Sequence, residues 1–334
     1  MHDAPRTQAP RMRSCWSGTK RPGLEAEQTR AKENVMSLSF QRTDTFVESQ
    51  GLRFHARRWT PTSAKEGKEA LLLLHGLASS LHIWDFVAPV LASHGYSVIA
   101  LDQRGHGQSA QPETGYDFAT IVADDAAIVH QLGLTRYAII GHSWGASVAL
   151  EYATTFPAEV SALVLVDGAT GQLSARPHWT RELVRERLAP PRFAGTKRST
   201  FLEYIKQGPL GNQWSPQLEE IFLHIVELRP DDTVAPRLAF EHHLQIIGAM
   251  WDQPTQALYQ RVSCPITLVV AEPATISEEQ ADYFTQRNAD LATLAQLYPK
   301  IMIRRMQETI HDIPLQRPQA LAQLIMRAVS HNAG

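Results

Sequence analysis

Three short stretches of this chain carry side chains suited to acyl-transfer chemistry. The first, "GHSWGA" (141–146), follows the apolar run "YAII" and precedes the helix-like "SVALEYATTF". A strand turning abruptly into a helix holds the residue between them in strained geometry, and Gly141 and Gly145 remove side chains that would clash there. Ser143 is then lifted clear of a sheet at a helix N-terminus, whose dipole favours developing negative charge. That is the setting of a nucleophile, although the same pattern also arises as a plain tight turn. The second stretch, "QETIHDIPLQRPQAL" (307–321), puts His311 on a loop after the last apolar run. A histidine there can swing toward the nucleophile as a general base. The third, "LLLLHGLASS" (71–80), ends a strand in a loop that would aim the Leu77 N–H beside that of Trp144. Two fixed amides stabilise the oxyanion of an acyl-transfer transition state. His75 and Gly76 shape that loop.

Other candidate side chains read as structural. "ALDQRGHGQS" (100–109) looks like an ordered loop under the pocket, with the His106 ring tying its backbone together. His242 and His243 fall in a helical region, where they line a pocket or face solvent. Trp84, Trp144, Trp179, Met250 and Trp251 could furnish an apolar pocket or ordinary packing. No His/Cys/Asp/Glu spacing suggests a metal, and no glycine-rich phosphate loop suggests a nucleotide, so no cofactor is expected.

The elements that must position these groups are legible in the hydrophobic pattern. "TDTFVESQGLRFHARRW" alternates about Gln50 and Gly51 and predicts an antiparallel hairpin. Short apolar runs then recur: "ALLLLHG", "SVIALD", "YAIIGHS", "ALVLVDG", "ITLVVAE" and "IMIRRM". Continuous runs of this kind mark strands buried on both faces, and helix-period segments separate most of them. The fold class is therefore α/β, with a doubly wound, mostly parallel sheet. Between Gly168 and Cys264 the rhythm stops, and helix-like segments alternate with Pro and Gly breaks. The chain is expected to divide into a core of 36–168 and 262–334 and a helical cap over 169–261, where a pocket would be shaped.

Bulk properties narrow the partners. The 334 residues are 43% hydrophobic and 20% charged, with a net charge of −2. That near-neutral balance leaves no electrostatic footprint for nucleic acid. No apolar run reaches the roughly 20 residues needed for a membrane span. A small-molecule substrate is the expected partner. Cys15 and Cys264 give no disulfide framework, so a reducing, cytoplasmic setting fits. Residues 1–35 are polar and Pro/Arg-rich, which predicts a disordered extension ahead of a domain starting at Met36.

Taken together, H-G-L-A-S-S, D-Q-R-G-H-G-Q-S, G-H-S-W-G-A and H-D-I-P-L-Q-R-P resemble the α/β-hydrolase superfamily over residues 42–332, the cap excepted. The resemblance implies a Ser–acid–His triad in that chain order. Serine at 143 points away from the epoxide hydrolases and haloalkane dehalogenases, which place Asp there. It also implies an acid shortly after "ITLVVAE", but that position holds Ala274, and the stretch onward to His311 is longer than expected. Three alternatives remain. The favoured one is Asp167, which ends the strand "ALVLVD", as in some family members; the others are Glu272, which directly follows the later strand, or no acid at all.

The expected activity is a carboxylesterase-like serine hydrolase acting on a small, fairly apolar substrate. A cofactor-free haloperoxidase or perhydrolase would use the same parts. A binding protein with little turnover is the third alternative, sustained by Ala274.

Overall fold

Strands β1 (Phe40–Ser49) and β2 (Leu52–Pro61) pair antiparallel across Gln50 and Gly51, whose φ angles of 51° and 75° suit a two-residue hairpin. The computed structural model describes residues 39–62 and 68–330. The expected disordered extension, Cys15 and the Met36 start lie outside them. After the hairpin come β3 (Ala70–Leu74), α1 (Ala88–Ser93), β4 (Ser97–Leu101), α2 (Phe118–Gln131), β5 (Tyr137–His142), α3 (Trp144–Thr155) and β6 (Val160–Val166). The next interval contains α4 (Arg181–Arg187), β7 (Thr196–Lys197), α5 (Arg198–Lys206), α6 (Pro216–Leu223), β8 (Val226–Leu228) and β9 (Thr233–Pro236). It closes with α7 (Phe240–Asp252) and α8 (Thr255–Arg261). Last come β10 (Ile266–Glu272), α9 (Glu278–Leu297), β11 (Met302–Gln307), α10 (Ile313–Gln316) and α11 (Pro318–Ser330).

The main sheet runs β1-β2-β4-β3-β5-β6-β10-β11. Its first two junctions are antiparallel, and every pairing from β4 to β11 is parallel. Alternate side chains of each central strand feed separate cores. Leu72, Leu74, Ile139 and Leu165 pack on one face, while Leu71, Leu73, Ile140 and Val164 pack on the other. That two-sided burial is why these strands read as continuous apolar runs. The order reverses at β3, whose neighbours are β4 and β5. Such switch points place the C-terminal strand ends around a crevice.

Two features depart from the sequence reading. The apolar pattern groups strand β11 with the buried runs, yet it is the sheet edge, and Arg304 and Arg305 are exposed. Charged side chains on an edge discourage further strand pairing. The interval 169–261, expected as a helical cap, holds helices but also a three-stranded antiparallel sheet in the order β7-β9-β8. Strands of two to four residues are too short to leave a periodic signature. Val226 and Val234 nonetheless bury a small core there with Phe201 and Leu202. Among the described residues no helix is long and apolar enough to cross a membrane.

Candidate active site

Ser143 occupies the one-residue junction between β5 and α3, with φ 54° and ψ −121°. A non-glycine residue in such a region costs about 1–3 kcal/mol and persists only when its surroundings over-determine it. Here the Ser143 amide donates to Val166 O at 2.8 Å, and the Ser143 carbonyl accepts from Ala146 at 3.0 Å. Both flanking glycines are required by close approach. A Cβ on Gly141 would lie 2.2 Å from Gly145 O, and one on Gly145 would lie 2.4 Å from His75 O.

His311 sits on the loop between β11 and α10. Its Nε2 is 2.9 Å from Ser143 Oγ, and its Nδ1 is 2.7 Å from Asp167 Oδ2. With Nδ1–H donating to the carboxylate, the Nε2 lone pair is left to accept the serine proton. The loop is held at several points. His142 Nε2 donates to His311 O at 2.9 Å, Thr309 N to Glu272 O at 3.0 Å, and Ile310 N to Gln316 Oε1 at 2.8 Å. Burial, then the neighbouring His311 charge, lower the His142 pKa to about 4, so that its ring is neutral near pH 7. The His311 side chain is 51% exposed, so water reaches it, whereas Asp167 is 7% exposed.

Asp167 stands at the end of β6, next to β5, with φ 46°. Its Oδ1 accepts the Ala271 amide at 2.9 Å, and Arg287 Nη1 lies 3.8 Å away. Burial alone would raise the Asp167 pKa. The His311 hydrogen bond and charge, the Ala271 amide and Arg287 together hold it below the ordinary carboxylate value. For His311, burial pulls downward, but the Asp167 hydrogen bond and charge, aided by Asp312, leave its pKa raised.

The other carboxylate weighed from the sequence faces elsewhere. Glu272 Oε1 accepts from Arg287 Nη2 at 3.0 Å and from Arg305 Nη1. Ala274 is exposed beyond β10. Arg287 was not foreseen. It is 1% exposed, and Nη1 also donates to Ala271 O at 2.6 Å, so it braces the strand end that holds Asp167. A signal existed: Phe284, Arg287, Leu291 and Leu294 form one helical face, and an arginine in an apolar stripe needs partners.

The loop after β3 is pinned from beneath. His75 Nε2 accepts from Gln103 N at 3.1 Å, and Gln103 Nε2 donates to His75 O at 2.9 Å. His106 Nε2 accepts from Ala78 N at 3.2 Å, while its Nδ1 faces Arg104 O at 2.9 Å. Its ring stacks on Trp144, with centroids 5.3 Å apart. These bonds use the Ala78 amide and leave the Leu77 N–H out. A Cβ on Gly76 would lie 3.1 Å from Ser143 Cβ, so this loop runs against the serine. His242 and His243 differ from expectation: both are buried, bonded to Tyr116 Oη at 2.9 Å and Leu188 O at 3.1 Å. Cys264 is half-buried, and burial raises its thiol pKa to about 11.

A cleft of about 630 Å³ opens over Ser143, Asp167 and His311. Trp144, Trp179 and Met250 help to line it, whereas Leu77, Trp84 and Trp251 are not among its lining residues. Trp84 lies instead in the core, edge-on to His142.

A parallel sheet with a strained serine at the end of β5, a histidine after its edge strand and a cleft above both defines an α/β-hydrolase fold. Residues 69–224 match the family model described as alpha/beta hydrolase fold. The chain has the α/β-hydrolase fold, and the family match covers just under half of its length. It is 39% identical over 123 residues to a non-heme chloroperoxidase of Streptomyces lividans, spanning 36% of this chain and 43% of that protein. It is 40% identical over 105 residues to a soluble epoxide hydrolase of Corynebacterium sp. (strain C12), spanning 31% and 36%. The chain thus matches less than half the length of these relatives. Among solved structures, the thioesterase domain from the curacin biosynthetic pathway aligns with a TM-score of 0.64 at 20% identity, over 86% of this chain and 99% of that one. That likeness is one of fold.

Proposed function

We propose that this protein is a serine hydrolase that cleaves a carboxylic ester or lactone of a small, fairly apolar molecule through an acyl-enzyme. The observation that carries the reading is the bridge formed by His311, 2.9 Å from Ser143 Oγ and 2.7 Å from Asp167 Oδ2. His311 Nε2 takes the hydroxyl proton as Ser143 Oγ attacks the carbonyl carbon. The carbonyl π electrons move onto oxygen, where the Trp144 and Leu77 N–H groups receive the charge. Collapse of that adduct expels the alkoxide, which takes the proton from His311. Water then gives a proton to His311 and attacks the acyl carbon, and Ser143 recovers its proton as the acid leaves. Asp167 stays ionised and steadies the imidazolium. This cycle needs no cofactor.

The serine at 143 weighs against the activity named for the epoxide hydrolase relative, because the family resemblance assigns Asp to that role there. Likeness to the chloroperoxidase supports a second reading, in which peroxide replaces water and the acyl-enzyme yields a peracid. The binding-protein reading drew on Ala274, and the proximity of Asp167 to His311 weakens it.

Hydrolysis of p-nitrophenyl acetate and butyrate by wild type and Ser143→Ala, with labelling by a fluorophosphonate, tests the proposal. Turnover and labelling lost together in Ser143→Ala support it. A folded wild type no faster than Ser143→Ala on both esters, and unlabelled, overturns it. Adding peroxide and assaying peracid separates the second reading.

A further inference from the structure

Arg176 stands in the cleft wall, on the loop between β6 and α4, with its side chain 5% exposed. Its Nη2 donates to Asp290 Oδ2 at 3.0 Å, and the other Asp290 oxygen accepts from Gln286 at 3.0 Å. The Arg176 Nε is buried with no acceptor among the described residues. The ring centroids of Trp179 and Tyr283 lie 4.9 and 5.9 Å from Arg176 Cζ, so the planar group is fixed by packing as well as by Asp290.

The lining of the cleft carries two arginines, Arg176 and Arg287, against one carboxylate. Arg287 also contributes to its lining, but its arms are committed to Ala271 O and Glu272. Asp167 is the only carboxylate among the lining residues, and His311 and Ala271 occupy it. Asp290 and Glu272 bond the arginines but do not line the cleft. A buried cationic donor without an acceptor forfeits its hydration and is destabilising. In a cleft wall, a ligand oxygen can recover that cost, and charge-assisted bonds to a pre-set guanidinium are strong and directional.

We propose that Arg176 forms an anion subsite, and that the substrate carries a carboxylate besides the bond attacked by Ser143. The apolar stem between the two groups lies along Trp179 and Met250. This inference rests on the hydrolase reading and deepens it, since binding a remote carboxylate would orient the reacting carbonyl.

The test compares kcat/KM for monoethyl succinate, glutarate and adipate with ethyl butyrate, pentanoate and hexanoate, followed by ethanol release. Each pair replaces a terminal methyl by a carboxylate at the same chain length. Wild type is expected to favour the charged ester at least tenfold in one or more pairs. Arg176→Gln should reduce that ratio at least tenfold, while Arg176→Lys, which keeps the charge, retains part of it. The inference is overturned if no pair favours the charged ester, or if Arg176→Gln leaves the ratio unchanged. Turnover of the neutral esters above Ser143→Ala would still uphold the hydrolase reading in that case. If neither series is turned over above Ser143→Ala, both readings fall.

Discussion

Asp167 Oδ1 accepts the amide N–H of Ala271 at 2.9 Å, so the strand on which the family resemblance places the acid instead holds an acid supplied by its neighbour. In the sheet order, β6 lies between β5 and β10. On the proposed function, an acid at the end of β6 stands one strand from the nucleophile, and His311 reaches inward from the edge to meet it. Asp167→Asn keeps the shape but presents an amide to Nδ1 and favours the wrong imidazole tautomer. The expected loss in kcat is about 10³–10⁴-fold. Glu272→Gln should retain activity within about tenfold, because its charge serves Arg287 and Arg305. Ester hydrolysis by the two purified variants decides between them, and the opposite ranking would move the acid to Glu272.

The pH profile carries a second prediction. His311 must be neutral to accept the serine proton, and Asp167 raises its pKa. The ascending limb of kcat/KM should therefore lie above the ordinary histidine value of about 6.5. In Asp167→Asn the residual activity should have its limb displaced to lower pH, because the stabilising charge is gone. A limb that does not move would separate Asp167 from the base.

Arg287→Gln removes the cation that braces Ala271 O and Glu272 and lies 3.8 Å from Asp167. Removing one partner from such a buried set costs about 3–5 kcal/mol. Chemical denaturation should register that loss. The Asp167 carboxyl, lacking one charge that lowers its pKa, should also titrate at a higher pH, which an NMR titration would follow.

Asp125 is fully buried in α2, and neither of its carboxylate oxygens has a partner among the described residues. Burial, and then the charge of Asp124, raise its pKa well above the ordinary value. A folded-state pKa above the unfolded one means the native protein holds the proton longer, so stability falls as pH rises from about 4 toward that pKa. Asp125→Asn should raise the melting temperature at pH 8, by an amount worth about 1–3 kcal/mol, and change it little at pH 5. Equal effects at both pH values would refute the titration argument.

The serine and histidine were legible because each depends on local text: two glycines spaced about Ser143, and a loop between the last strand and a proline-started helix for His311. The acid was only narrowed, with Asp167 favoured over Glu272 or none, since Asp167 and His311 are 144 positions apart and only strand order makes them neighbours. The same limit hid Arg287, whose partners lie on β10 and β6. Pattern reading located the sheet because Leu71 to Leu74 alternate between two cores yet look uniform. It missed β7 to β9 because strands of two to four residues are too short to show a period. Strand β11 looked interior because Met302, Ile303 and Met306 outweighed its arginines in the eye, whereas the edge position exposes them.

Ser143, Asp167 and His311 hang from three separate strand ends, β5, β6 and β11, and the last is made 144 residues after Asp167. If these residues act as proposed, a growing chain carries Ser143 and Asp167 long before the base that joins them. Hydrolytic competence would thus mark completion of the sheet edge. Stalled nascent chains released before residue 311 should be silent toward an activity probe, while chains that include His311 would light up as β11 docks, making the protein a reporter of its own final folding step.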